Sequence, residues 1–137
     1  MEFDSWTKMK AHIDTLNIGP AFSGCGVFRN KLGTVFLRSV DGTEFYADTF
    51  APIKFTLFGQ IGDQVLDDRY NRNFFEGNVA FFYRVSGKRH TWYGAMRMGE
   101  IEALEHPDKN SNIRRIYRVS LTPAKTDAPT AQSVTKV

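Results

Sequence analysis

The sequence predicts an α+β domain, and three observations predict it. An amphipathic helical stripe opens the chain, a series of short apolar or β-rich runs follows between turn clusters, and one further helical stripe stands behind a glycine-flanked turn. In the first helix, Phe3, Trp6, Met9, Ile13 and Leu16 recur three or four residues apart, with Asp4 or Ser5 placed as the cap and a break at Asn17 to Pro20. The runs that read as strands are Leu32 to Arg38, Ile53 to Phe58, Val79 to Val85, Trp92 to Met98 and Ile113 to Leu121. "SVDGTE", "GQIGDQ", "VSGKRH" and "HPDKNSN" punctuate them. In the last run Ile113, Arg115, Tyr117, Val119 and Leu121 alternate onto one face. The second helix is expected from Gln64 to about Phe75, capped by Asp63, with Leu66, Tyr70 and Phe74 on its stripe and Gly77 at its end. Arg69 and Arg72 then fall towards its C-terminal half, where the helix dipole favours cations.

A length of 137 residues suits one compact core without disulfides or metals. The expected domain is 1–122. Residues 123–137, "PAKTDAPTAQSVTKV", are small, polar, proline-containing and free of aromatics, and read as a linker or disordered tail. No apolar run approaches the roughly 18–20 residues that cross a bilayer, and the N-terminus lacks the layout of a signal peptide. No membrane partner is expected. The single Cys25 excludes an intrachain disulfide and makes a reducing, cytoplasmic compartment the natural setting. Charge is uneven: Met1 to Tyr83 carries 8 Lys/Arg against 10 Asp/Glu, whereas Arg84 to Arg118 carries 8 against 4. With a pI near 9.1, this balance is compatible with a polyanionic partner but does not demand one.

Catalytic and metal-binding patterns are missing from the sequence. The three histidines, His12, His90 and His106, lie far apart, no cysteine pair exists, and no acid is followed two residues later by lysine as an Asp…Glu-x-Lys nuclease requires. Neither a phosphate-binding glycine loop nor a Gly-x-Ser-x-Gly elbow is present. Cys25 in "FSGCGVF" reads as a packed small residue rather than a nucleophile. The chain alone is expected to be no enzyme, and no cofactor is expected.

Binding chemistry remains. "GTEFYADTF" places Phe45, Tyr46 and Phe50 around Asp48. Aromatic faces beside a carboxylate suit a planar ring that presents an amino group, since the carboxylate accepts from cytosine N4 while the rings stack. The same segment also reads as core rings with Asp48 capping a turn. Turns carrying Arg29-Asn30-Lys31 and Lys88-Arg89 would track a phosphate backbone if they gathered at one end of a barrel, and are ordinary solvated turns if they did not.

The order "GDQ" (Gly62 to Gln64), "NRNF" (Asn71 to Phe74), "NVAFFYRV" (Asn78 to Val85), "WYG" (Trp92 to Gly94) and "RRIYRVSLTP" (Arg114 to Pro123) resembles the SRA, or YDG, domain family. "GVFRNKLGTVF" resembles that family's entry strand and loop, so the likeness spans Ser23 to Pro123. The resemblance implies a PUA-like/SRA-like curved β-barrel that binds double-stranded DNA with a modified cytosine, 5-methyl or 5-hydroxymethyl, by flipping the base into a pocket. It makes Asp63, Gln64, Asn71 and Arg72 structural ties beside that pocket. It places the first stacking ring at Phe45 or Tyr46, the amino-group acceptor at Asp48, and the second ring within "KFTLF", where Leu57 stands at the family's tyrosine with Phe55 and Phe58 beside it. Arg29, Asn30, Lys31, Lys88 and Arg89 are the residues expected at the DNA backbone. Trp92-Tyr93-Gly94 replaces Tyr-Asp-Gly, the family's finger insertion is missing between Phe58 and Gly62, and the N-terminal helix has no counterpart. These departures favour a microbial reader of the restriction type, located with the nucleoid and joined to or associated with a nuclease domain. The alternatives are a PUA-like domain for RNA or another modified base, and a protein-interaction module.

Overall fold

The computed structural model describes residues 1–76 and 80–124. In chain order the elements are β1 (Glu2–Phe3), α1 (Trp6–Asp14), β2 (Val27–Arg29), β3 (Val35–Val40), β4 (Thr49–Phe50), β5 (Ile53–Thr56), α2 (Arg69–Glu76), β6 (Ala80–Ser86), β7 (Arg89–Pro107) and β8 (Ile113–Pro123). The strands form one mixed, curved sheet in the order β2-β3-β6-β7-β8-β5-β4, with β1 added against β7. β3 and β6 run parallel and the other pairs antiparallel. The ladder is open, ending at β2 on one side and β4 on the other. This is the expected α+β, SRA-like arrangement of sheet and two helices.

Val35, Phe36 and Leu37 are all buried because β3 is covered on both faces. Phe36 packs with Met9 and Ile13 of α1 and with Tyr83 and Trp92, while Val35 and Leu37 join Phe55, Leu57, Phe74, Phe82, Val119 and Leu121. The stripe read in the first helix is therefore core, and its cap is Ser5, whose Oγ accepts from Lys8 N at 3.2 Å. β1 was not expected; two residues are too few for a periodic signal, and pairing with His90 and Thr91 makes them a strand.

Several expectations need correction. α2 begins at Arg69 rather than Gln64. Asp63 is not its cap, because Asp63 Oδ1 accepts from Arg115 N at 2.7 Å. Gln64 N instead bonds Arg115 O of β8, a turn follows with Asp68 N donating to Val65 O, and Asp68 Oδ1 receives Tyr70 N at 2.8 Å as the helix starts. β7 runs well past Met98, because its ladder with β8 resumes at Ile101 after an irregularity and continues to Pro107. That distal arm is exposed, so backbone pairing supports it without an apolar signal. In β8 both faces are used: Val119 and Leu121 are core, but Ile113 is 65% exposed while Arg114 and Ile116 on the other face are buried. β8 continues through Pro123, and Ala124 N donates to Ala95 O. Gly77 and residues 125–137 lie outside the described residues. Among the described residues, no helix is long and apolar enough to cross a membrane.

Candidate functional site

Arginines of β8 hold the segment Phe45 to Asp48 over the sheet. Arg114 Nη2 donates to Phe45 O at 2.6 Å, and its Nη1 donates to Gly59 O at 2.5 Å and Gly62 O at 3.1 Å. Arg118 Nη1 donates to Ala47 O at 3.0 Å, and its Nε is anchored by Glu102 at 2.9 Å. Four residues apart on a strand, these arginines share a face, which explains why that face of β8 is covered.

Asp48 points inward. Its Oδ2 accepts from Ser39 Oγ at 2.5 Å and its Oδ1 from Thr56 N at 2.6 Å. Thr56 Oγ1 in turn accepts from Ala47 N at 2.9 Å, so the carboxylate is held by both β3 and β5. Burial pushes the Asp48 carboxyl above the ordinary carboxylate range, opposed by the bonds from Ser39 and Thr56 and more weakly by Arg118. Each carboxylate oxygen retains acceptor capacity beyond the one bond named here.

Asp48 lines a narrow recess of about 10 Å³ together with Tyr46, Phe55, Phe58, Gly26 and Val27. The recess adjoins a wider cleft of about 240 Å³ reached by Cys25, Thr43, Phe45 and Gln60. Gly26, Arg38, Tyr46 and Phe58 border both spaces. Tyr46 is fixed by Gly59 N, which donates to its hydroxyl at 3.3 Å, and burial pushes its phenol up.

The "GDQ" turn and the asparagine beyond it brace this wall. Gln64, 3% exposed, donates to Leu57 O at 2.6 Å and Gly59 O at 3.1 Å and accepts from Tyr117 N at 2.9 Å. Asn71, fully buried, accepts from Phe58 N at 2.7 Å and donates to Phe58 O at 3.1 Å and Val65 O at 2.9 Å. Gly59 (φ +136°) and Gly62 (φ +72°) supply the left-handed backbone of the intervening turn, where a side chain would be strained. Asp63 also serves as a tie through Arg115 N. Arg72 faces solvent and pairs with Asp67 at 3.9 Å.

The residues expected at a base pocket are partly brought together. Tyr46 and Asp48 line the recess, Phe45 the cleft, and Phe55 touches the recess from the core. Leu57 does not reach it: just past the end of β5, its side chain is 0% exposed and packs in the core, and Phe58 borders the recess in its place. Phe58 stands 4.4 Å from Tyr70, ring centre to ring centre. The expected backbone residues divide. Asn30 is buried, with its amide donating to Ile18 O and Pro20 O and accepting from Leu32 N and Thr34 N, so it ties a loop rather than facing a phosphate. The register of β3 on β6 places the turn bearing Arg29 and Lys31 at the Val35 end, and that bearing Lys88 and Arg89 at the Val40 end, where the cleft lies. At about 3.3 Å per residue, β3 separates the two groups by some 17 Å.

Sequence reading missed Ser39, Thr56, Arg38, Arg114 and Arg118. Ser39 had a signal, being the polar residue on the inward side of β3 after Val35 and Leu37. The arginines had none, since an isolated arginine in a strand reads as solvated. Among the described residues, no group of three His, Cys, Asp or Glu could hold a metal ion.

No protein-family profile and no curated protein sequence matches the chain. Its fold is similar to solved SRA-domain structures. It matches the sulfur binding domain and SRA domain of ScoMcrA complexed with phosphorothioated DNA at TM-score 0.68 and 14% identity, over 92% of this chain and 39% of that one. The SUVH5 SRA–methylated CHH DNA complex matches at TM-score 0.54 and 18% identity, over 94% of this chain and 91% of that one. MspJI restriction endonuclease in complex with a 27-mer oligonucleotide matches at TM-score 0.56 and 10% identity, over 77% and 34%. The chain thus spans well under half the length of the ScoMcrA and MspJI chains. At these identities the likeness is one of fold, and the chain is an SRA-like α+β domain.

Proposed function

We propose that this domain binds duplex DNA at a modified cytosine, 5-methyl or 5-hydroxymethyl, by extruding the base into the hollow between Tyr46 and Phe58. The observation that carries this reading is Asp48: a half-buried carboxylate, oriented by two neutral donors, lining an aromatic-walled recess. Such a group accepts a hydrogen bond from an exocyclic amine, as cytosine N4 offers, while the flanking rings stack on the base. Phe45, at the cleft, guides entry, and Lys88 and Arg89 hold the phosphate backbone beside it. The domain contributes recognition and no catalysis of its own, which suits the targeting module of a modification-dependent restriction endonuclease. The solved relatives bound to methylated or phosphorothioated DNA support this reading.

The energetics close. Extruding a base costs a few kcal/mol, and stacking returns about 1–3 kcal/mol per base. The bond to Asp48 and the phosphate contacts supply the remainder, and a buried 5-methyl adds about 0.8 kcal/mol or less. The test is a binding titration with duplexes that differ at one cytosine (unmodified, methyl, hydroxymethyl, glucosylated) and with a structured RNA, on wild type, Asp48→Asn and Asp48→Ala. Tight binding of a modified duplex, lost in both variants, is expected. Equal binding of all duplexes, or unchanged binding by the variants, refutes the reading.

A further inference from the structure

A half-buried arginine with one unmet guanidinium nitrogen borders the same hollow. Arg38 lines both the recess and the cleft, and its Nε is withdrawn from water with no hydrogen-bond partner among the described residues. Strand alternation sets Arg38 on the side of β3 opposite Leu37 and Ser39, the side of Val40, which also borders the wider cleft. Its register partner on β6 is Tyr83, fully buried, whose hydroxyl is likewise without a partner. Burial pushes the Tyr83 phenol up, so it does not ionise to neutralise the arginine. A charged donor left unmet out of water costs free energy in every folded molecule. A simple apolar niche for a methyl group would need no cation at its border. A ligand in this hollow therefore meets an acceptor at Asp48 and an unspent donor at Arg38.

We propose that Arg38 is a specificity-determining residue, donating to an acceptor oxygen of the extruded nucleotide, carried on the 5-substituent of the base or on that nucleotide's own phosphate. This rests on the base-extrusion reading above. If the base carries the oxygen, the hollow prefers hydroxymethyl- or carboxyl-substituted cytosine to methylcytosine. If the phosphate carries it, Arg38 strengthens every extruded nucleotide alike.

The experiment titrates wild type, Arg38→Met and Arg38→Lys with duplexes differing at one cytosine (unmodified, 5-methyl, 5-hydroxymethyl, 5-carboxyl). A further set carries an uncharged methylphosphonate at that nucleotide. Methionine matches the apolar stem and removes the orphan, so thermal stability is expected to hold or rise. Should Arg38→Met fail to fold, Arg38→Lys, which keeps the charge but lacks the planar fork, gives the same comparison. A loss of about 10-fold or more confined to the oxygen-bearing bases assigns the contact to the substituent. An equal loss on all duplexes, with no further loss when the methylphosphonate is present, assigns it to the phosphate. Variants within about 2-fold of wild type on every duplex overturn the proposal. Wild type that fails to prefer any modified duplex overturns base extrusion itself, a result visible without the variants.

Discussion

Replacing Asn71 by aspartate exchanges one amide for an oxygen at a fully buried site. The bond from Phe58 N to Oδ1, at 2.7 Å, survives, but the two bonds that Nδ2 donates, to Phe58 O at 3.1 Å and Val65 O at 2.9 Å, become oxygen–oxygen contacts. Each lost bond is worth about 1 kcal/mol, and the strandings of two carbonyls and a buried carboxylate add about as much again. The expected loss is about 3–4 kcal/mol at neutral pH, or about 10–15 °C in Tm for a domain of this size. Urea unfolding and thermal melts followed by circular dichroism measure it. The pH dependence supplies a second check. Burial raises the new carboxyl's folded-state pKa above its unfolded value, so the folded variant takes up a proton first and then donates to one carbonyl. The gap from wild type should narrow as pH falls through that folded-state pKa and stop narrowing below about 4, where the unfolded chain protonates too. Because Asn71 fixes Phe58 at the wall of the hollow, DNA binding should weaken in parallel. Asn71→Asp within about 0.5 kcal/mol of wild type and insensitive to pH would refute the bracing role.

Arg114→Met strips donors from the carbonyls of Phe45, Gly59 and Gly62, and should cost about 3 kcal/mol or more by urea unfolding while releasing the Phe45–Asp48 segment and abolishing modified-DNA binding. Asp48, whose pKa is raised by burial, should make binding weaken as pH falls, starting above the ordinary carboxylate range. The stability sign is opposite: the folded state binds the Asp48 proton more tightly than the unfolded chain, so this group adds stability as pH drops through its folded pKa towards its unfolded one. Asp48→Asn should flatten the stability profile, and a flat wild-type binding profile would count against the assignment. Lys88→Ala should lower the slope of log affinity against log salt by about 0.9, whereas Lys31→Ala, at the other end of β3, should leave it unchanged.

Local periodicity was enough for much of the fold. The stripe from Phe3 to Leu16, the short β-rich runs and the turn clusters between them correspond to α1, β3, β5, β6 and the cores of β7 and β8. These elements announce themselves because burial of one face imposes a period on neighbouring residues. The series of motifs from Gly62 to Pro123 also pointed to the SRA-like arrangement, and to Gln64 and Asn71 as ties rather than chemistry.

What the chain alone left undecided depends on partners distant in sequence. Gln64 fits a helix by propensity, but its buried bonds to Leu57, Gly59 and Tyr117 draw it to the sheet and delay α2 until Arg69. The distal arm of β7 exists because β8 pairs with it. Leu57 and Phe58 exchange roles because, just past the end of β5, the core takes Leu57 and leaves Phe58 at the recess. Asn30, Arg38, Arg114 and Arg118 look like solvated polar residues until the fold covers them. Sequence periodicity records which face of an element is buried, whereas the partners of a buried polar group are set only when remote segments close around it, and there the tertiary structure decided the site.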